Sequence, residues 1–147
     1  MKLILLIHGP NLNMLGKRDA KHYGALTLKE LEREVTAAAK KHGLKIKAFQ
    51  SNHEGGIIDF LQKQAPKAAG ILINPGAYTH YSYAIHDALL DTKLPAIEVH
   101  LSKVTEREDW RAKSVTAPAC VAVFAGKKAG SYVEAVKKLA HTIRTTK

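Results

Sequence analysis

The chain has 147 residues, of which 46% are hydrophobic and 24% are charged. This length and this balance fit one folded domain with a buried core, and they exclude a disordered chain. No apolar run approaches the ~20 residues that a membrane-spanning helix needs, and a single cysteine, Cys120, excludes a disulfide within the chain. We therefore expect one domain over residues 1–147, located in the cytoplasm and without a membrane partner.

The formal net charge is +10 at pH 7, from 23 Lys and Arg residues against 13 Asp and Glu residues. Such a balance suits either a nucleic acid or a small anionic substrate. The basic residues are scattered along the chain, and aromatic residues make up only 6% of it. Few aromatic side chains are then available to stack on bases, so we expect a small-molecule substrate and no nucleic acid.

Five short segments, apolar on both faces, predict buried parallel strands. They cover residues 3–7, 46–49, 69–73, 95–99 and 120–125. Apolar residues at helical spacing predict two of the intervening or following helices. These residues are Leu28, Leu31, Val35 and Ala38 in the first helix, and Val133, Val136, Ala140 and Ile143 in the last.

Four sequences of the capping-box type, which begin at Thr27, Ser51, Thr105 and Ser131, predict the starts of helices. Strands that alternate with helices indicate a parallel sheet with right-handed crossovers. The sequence therefore predicts an α/β fold, a flavodoxin-like three-layer sandwich around a five-stranded parallel sheet.

Polar residues follow the predicted strands, at the edge where such sheets bind ligands. The loop over residues 9–24 is far longer than the ~2–6 residues usual in α/β connections, and Asn74, Glu98 and His100 lie at the ends of later strands. The sequence lacks the glycine motifs that bind phosphate, the spacing of zinc ligands and the nucleophile elbow of hydrolases. These absences disfavour nucleotide binding by either motif, a metal site and covalent acyl chemistry, so we expect acid–base chemistry.

Two pairs of residues are candidates for this chemistry. Glu98 and His100 are two apart on one strand, so their side chains point the same way, and a carboxylate beside a histidine favours the imidazolium as a proton donor. Tyr23 follows Arg18 in a loop long enough to fold back, and a guanidinium stabilises a phenolate that acts as a base. Spacing alone leaves open whether Tyr23 and Arg18 do so or lie on the surface.

Longer blocks of residues carry more information than any single position. They are residues 9–16 (GPNLNMLG), Arg18, Tyr23-Gly24, residues 50–55 (QSNHEG), 73–80 (INPGAYTH), Asp87-Ala88, 97–102 (IEVHLS), Arg107, and Arg111-x-x-Ser114. In this order and spacing, nearly end to end, the chain resembles the type II 3-dehydroquinate dehydratases. The resemblance implies a flavodoxin-like fold and reversible dehydration of 3-dehydroquinate to 3-dehydroshikimate in the shikimate pathway. The reaction would be an anti elimination through an enol or enolate, without a cofactor or metal.

The resemblance also implies a role for each matching residue. Tyr23 matches the base, Arg18 the residue that keeps it ionised, and Asn11 the group that holds the enolate. His100 matches the general acid that protonates the departing hydroxyl, and Glu98 the carboxylate that supports it. Leu101 and Ser102 match the residues that bind the substrate carboxylate. All the residues that match substrate contacts are Asn74, His80, Asp87, Leu101, Ser102 and Arg111.

The same resemblance implies an assembly. The family typically forms a homo-oligomer, a dodecamer built as a tetramer of trimers, and Asp87 matches a residue that a neighbouring subunit supplies. Four positions depart from the family pattern, since His8, Tyr81, His86 and Lys103 stand where Asn, Thr, Arg and Asn are common. The stretch over residues 115–119 is also unusual, and these departures affect local packing and the subunit contacts around Asp87.

Two alternatives stay open at this point. One is a non-catalytic flavodoxin-like module that binds anions or RNA, which draws on the net charge of +10 and on the fold alone. The other keeps the enzyme class but changes the substrate to another cyclic hydroxy-ketone acid.

Overall fold

The computed structural model describes residues 1–146 and shows three layers, with one parallel sheet between two pairs of helices. The strands are β1 (Lys2–His8), β2 (Leu44–Gln50), β3 (Gly70–Asn74), β4 (Ala96–Val99) and β5 (Ala122–Phe124). They are ordered β2-β1-β3-β4-β5, and each neighbouring pair is parallel. This is the flavodoxin-like order, which confirms the predicted fold class.

The helices are α1 (Ala20–Tyr23), a single turn, followed by α2 (Leu28–Lys40), α3 (Glu54–Gln64), α4 (Tyr83–Thr92) and α5 (Ala129–Thr145). Helices α2 and α5 cover one face of the sheet, and α3 and α4 cover the other. Successive strand residues point to opposite faces, so Leu5 and Leu6 of β1 enter different halves of the core and both are fully buried. Among residues 1–146, no helix has the length and apolar character needed to cross a membrane.

The outer strands correct the prediction that all five strands are buried on both faces. Strands β2 and β5 lie at the two edges of the sheet, where Lys45 and Lys47 of β2 are exposed and Val123 of β5 is 48% exposed. An edge strand has one neighbour instead of two, and the helices cover it incompletely. Lysines on an edge also discourage pairing with the strands of other molecules.

Three of the four predicted capping boxes are wrong, because their first residues are not at the N-cap of a helix. Thr27 forms a complete box, because its Oγ1 accepts from Glu30 N at 3.2 Å and the Glu30 carboxylate accepts from Thr27 N. Ser51 lies two residues before the N-cap of α3, Thr105 lies within a 3-10 turn, and Ser131 lies inside α5. The four-residue pattern occurs by chance, and it caps a helix only when its first residue is at the N-cap.

The apolar stripe of α5 also differs from the prediction at one position. Val133 is 43% exposed, whereas Tyr132 beside it is fully buried. Val136, Ala140 and Ile143 face the core as predicted. The large aromatic ring of Tyr132 therefore occupies the core position that the sequence pattern assigned to Val133.

The ends of β1 and β3 are tied together at the carboxyl edge of the sheet. Gly9 N donates to Asn74 O at 2.7 Å. A Cβ atom on Gly9 would lie 2.3 Å from Pro75 O, so only glycine permits this approach. The contact brings the start of the 9–24 loop beside Asn74, and both then border one cleft.

Candidate active site

One cleft at the carboxyl edge of the sheet gathers most of the predicted site residues. Those that line it are Asn11, Arg18, Tyr23, Asn74, His80, His100, Leu101, Ser102 and Arg111. Glu98 lies behind His100, where it is 1% exposed. Asp87 lies on α4 with its side chain 76% exposed, and it does not border the cleft of its own chain.

Tyr23 lies at the end of the single-turn helix α1 and is surrounded by positive charge. The Asp19 carboxylate caps α1 by accepting from Lys21 N at 3.0 Å. The guanidinium carbon of Arg18 lies 3.6 Å from the centroid of the Tyr23 ring, and that of Arg107 lies 5.1 Å from it. Two guanidinium groups therefore lie against the Tyr23 ring, as in cation–π contacts.

Arg18 is itself partly withdrawn from water. Burial lowers the pKa of its guanidinium, attraction to Tyr23 raises it, and repulsion from Arg107 and Arg111 lowers it again, with a net shift downward. An arginine side chain keeps its charge in spite of such a shift. The cleft therefore holds three guanidinium groups close together, which suits an anionic ligand.

Glu98 and His100 form a buried pair at the end of β4. His100 Nε2 lies 2.8 Å from Glu98 Oε2, and His100 is 6% exposed. Burial raises the pKa of the Glu98 carboxyl, but His100 and the hydrogen bonds donated to the carboxylate lower it by more, so this pKa lies below its ordinary value. The carboxylate therefore lies at the distance of a charge-assisted hydrogen bond from the imidazole.

Several side chains of the cleft are fixed by their own hydrogen bonds. Asn74 Nδ2 donates to the buried Tyr132 hydroxyl at 3.0 Å, and Asn74 Oδ1 accepts from Gly76 N at 3.0 Å. The Nδ1 atom of His80 lies 2.7 Å from Lys113 O. Rotamers that are held in this way reduce the entropy lost when a ligand binds.

Arg107 lines the cleft beside Tyr23, although the sequence predicts no role for it beyond its place in the matching blocks. Its Nη1 donates to Ser102 Oγ at 3.4 Å. Trp110 was not predicted either, and the Arg111 guanidinium lies over its ring at 4.0 Å from the centroid. Arg107 and Trp110 follow β4 in a segment of short turns, where no periodic pattern predicts what a side chain contacts.

The histidines raise the question of a metal. Within the part of the chain that the structure describes, no three His, Cys, Asp or Glu side chains come together as a set of metal ligands. His53, which follows β2, is the N-cap residue of α3 and does not line the cleft.

All four positions that depart from the family pattern lie outside the cleft. Tyr81 is 60% exposed and packs edge-on against Tyr78, His86 Nδ1 lies 3.1 Å from Asp87 Oδ1, and Lys103 pairs with Glu106 at 3.1 Å. The fourth, His8, is fully buried at the end of β1, and neither ring nitrogen has a hydrogen-bond partner among the described residues. Its Nε2 atom lies 3.9 Å from Glu32 Oε1, and burial lowers the pKa of His8 to about 4.

We expect His8 to make the fold sensitive to mild acid. Its pKa is about 4 in the folded protein and about 6.5 in an unfolded chain. Between these values the unfolded chain binds more protons, so the free energy of unfolding falls as the pH is lowered. From pH 7 to pH 5 the loss through His8 is about 2 kcal/mol. Urea unfolding at both pH values should show a smaller loss for His8→Asn than for the wild type, and equal losses would contradict the assignment.

Comparison with known proteins identifies the family of the chain. Residues 2–140 match the model of the family described as Dehydroquinase class II. A 3-dehydroquinate dehydratase from Clostridium beijerinckii is 51% identical over 137 residues, which cover 92% of this chain and 94% of that protein.

Solved structures give the same result. A type II dehydroquinase from Butyrivibrio crossotus superposes with a TM-score of 0.90 at 44% identity, over 94% of this chain and 97% of that one. A type II dehydroquinase from Propionibacterium acnes gives a TM-score of 0.91 at 33% identity, over 96% and 97% of the two chains. The chain therefore belongs to the class II dehydroquinase family.

Proposed function

We propose that this protein catalyses the reversible dehydration of 3-dehydroquinate to 3-dehydroshikimate. The relatives that carry the name 3-dehydroquinate dehydratase support the substrate. The observation that carries the proposal is one cleft with a phenol beneath two guanidinium groups and an imidazole backed by a buried carboxylate. An elimination through an enolate needs a base for the carbon-bound proton and an acid for the leaving hydroxyl.

In this proposal Tyr23 is the base. The Tyr23 phenolate, stabilised by Arg18 and Arg107, takes the proton from the carbon next to the ketone, and the electron pair of that C–H bond moves to form the enolate. Asn11 lines the cleft in the left-handed conformation, at φ 70, with its N–H held by Asn52 Oδ1 at 3.0 Å. We assign to Asn11 the stabilisation of the enolate oxygen, through a water molecule, as an oxyanion hole does.

His100 is the general acid of the second step. Its Nε2 is occupied by Glu98, so Nδ1 is the nitrogen that donates a proton to the departing hydroxyl. As the enolate collapses, the C–O bond breaks, the hydroxyl leaves as water, and His100 becomes neutral. The proton taken by Tyr23 returns to solvent and another from solvent restores His100, so the reaction removes one water and needs no other reactant.

The remaining cleft residues bind the substrate in this proposal. Asn74, His80 and Arg111 hold its hydroxyl groups. The backbone N–H groups of Leu101 and Ser102, together with the Ser102 hydroxyl, hold its carboxylate. The three guanidinium groups of the cleft supply the positive charge that an acid substrate requires.

The direct test is to add 3-dehydroquinate to the purified protein and follow the absorbance of the conjugated enone product. We expect turnover near neutral pH that neither a chelator nor borohydride abolishes, since neither a metal nor a Schiff base takes part. A folded protein without turnover would contradict the proposal. If that protein instead bound RNA with a steep dependence on salt, the non-catalytic alternative would be favoured.

We also propose that residues 1–147 form a single catalytic domain that assembles as a dodecamer, a tetramer of trimers. Lys147 lies outside the described residues. The Asp87 carboxylate on α4 is exposed, and Tyr83 and Leu90 of the same helix are 62% and 50% exposed. A carboxylate among exposed apolar side chains suits a contact that brings Asp87 to a neighbouring subunit's cleft. Light scattering should give the mass of twelve chains, and a fully active monomer would contradict the assembly.

A further inference from the structure

Three hydroxyl groups surround the Glu98 carboxylate in addition to His100. Thr79 Oγ1 donates to Oε2 at 2.8 Å, Ser114 Oγ donates to the same oxygen at 2.9 Å, and Thr116 Oγ1 donates to Oε1. Thr79 is 1% exposed and Thr116 is fully buried. Thr116 belongs to the stretch over residues 115–119 that is unusual for the family, so this stretch has a specific place beside the active site.

The backbone holds these hydroxyls in position. Val115 N donates to Thr79 O at 2.7 Å, and Ala117 N donates to Ser114 Oγ at 2.9 Å. The first bond joins the turn after β3 to the segment before β5. The second uses the Ser114 oxygen as an acceptor, and the single Ser114 proton is then within reach of Glu98 Oε2 at 2.9 Å and of Thr79 Oγ1 at 2.7 Å.

The hydrogen bonds of the cluster favour the ionised state of Glu98. Three hydroxyls and the His100 imidazole lie within hydrogen-bond distance of the carboxylate oxygens. The hydroxyls also lie 2.7 to 3.2 Å from one another, so each can donate its single proton either to the carboxylate or to a neighbouring hydroxyl. Each hydrogen bond that the carboxylate accepts favours its charged form over the neutral acid.

We propose that Thr79, Ser114 and Thr116 are positioning residues that keep Glu98 ionised and aligned with His100 throughout the reaction. Glu98 then stabilises the charged imidazole and does not carry the proton itself. This inference rests on the proposed role of His100 as general acid. It assigns a role to hydroxyl groups that contact neither the substrate nor the reacting atoms.

Other groups near Glu98 do not substitute for the hydroxyls. Burial and the charge of Glu98 raise the pKa of the Cys120 thiol to about 12, so Cys120 stays neutral at any pH at which the protein works. His80, Lys103 and Arg111 line the space behind His100, together with Glu98. Removing one hydroxyl leaves all of these groups in place, and the effect can then be assigned to the lost hydrogen bond.

The test uses Thr116→Val, which removes the hydroxyl at nearly constant volume, and Thr116→Ser, which restores it. Carbon-13 NMR of labelled glutamate follows the protonation of the Glu98 carboxyl, with Glu98→Gln to assign its signal. Because a hydrogen bond to a charged group contributes about one to two pH units, we expect the Glu98 midpoint to rise by that amount in Thr116→Val. It should return towards the wild-type value in Thr116→Ser, and the acid limb of kcat should move with it.

A Glu98 midpoint that is unchanged in Thr116→Val would overturn the inference, whatever the activity. A midpoint that rises while the acid limb of kcat stays in place would also overturn it, since Glu98 would then not act through His100. The NMR measurement needs no substrate, so it still tests the hydroxyl cluster if the wild type proves inactive on 3-dehydroquinate. If thermal melting shows that Thr116→Val does not fold, Ser114→Ala, at a half-buried position, removes another hydroxyl from the carboxylate, together with the acceptor of Ala117 N, and should also raise the Glu98 midpoint.

Discussion

Tyr23→Phe is expected to lower kcat by about 10²–10⁴-fold, the usual contribution of a positioned acid or base. The substitution removes only the phenol oxygen, so the ring keeps its packing against Arg18 and Arg107. Substrate binding should change little, because other residues of the cleft hold the carboxylate and hydroxyl groups. A loss that falls on kcat and spares KM is typical of an interaction made only in the transition state.

The matched control is Tyr81→Phe. Tyr81 is also a phenol, is 60% exposed and does not line the cleft, so kcat should stay close to that of the wild type. Both variants should melt at the wild-type temperature, because neither loses buried apolar area. If Tyr23→Phe kept most of its kcat, the base would have to be another group.

The central strands were the most predictable part of the fold. Residues 3–7, 69–73 and 95–99 are apolar except for Glu98, as suits the strands β1, β3 and β4, which have a strand on each side and helices above and below. The exposure of β2 and β5 follows from their places at the edges of the sheet. The order of the strands in the sheet depends on contacts between residues that are far apart in the sequence. For the same reason the true starts of α3 and α5 differ from the four-residue patterns that predicted them.

The candidate site was predictable where residues follow strands directly. Asn74, His100 and Ser102 are placed by the sheet itself, whose strands all end at one edge. Arg107 and Thr116 reach the site from irregular segments, so their contacts depend on how the whole chain folds. A resemblance to a family can identify such positions, but Thr116 lies in the stretch where the resemblance is weakest.

His100→Ala should separate the two halves of the proposed reaction. Dehydration should slow by about 10²–10⁴-fold, because hydroxide is a poor leaving group without a proton donor. Tyr23 and its two guanidinium groups remain in this variant, so the enolate still forms and returns to substrate. In D₂O the substrate should then gain deuterium at the carbon next to the ketone, which proton NMR detects as the loss of one signal.

Three variants make this experiment decisive. His141→Ala removes an exposed histidine of α5 that does not line the cleft, and it should retain both dehydration and exchange. Tyr23→Phe should lack dehydration and should exchange no faster than substrate alone. If His100→Ala loses exchange as completely as Tyr23→Phe does, His100 is needed before the enolate forms, and its assignment as the acid for the leaving group is wrong. If His100→Ala alone exchanges deuterium into the substrate without dehydrating it, one residue removes the carbon-bound proton and a different residue, His100, protonates the leaving hydroxyl.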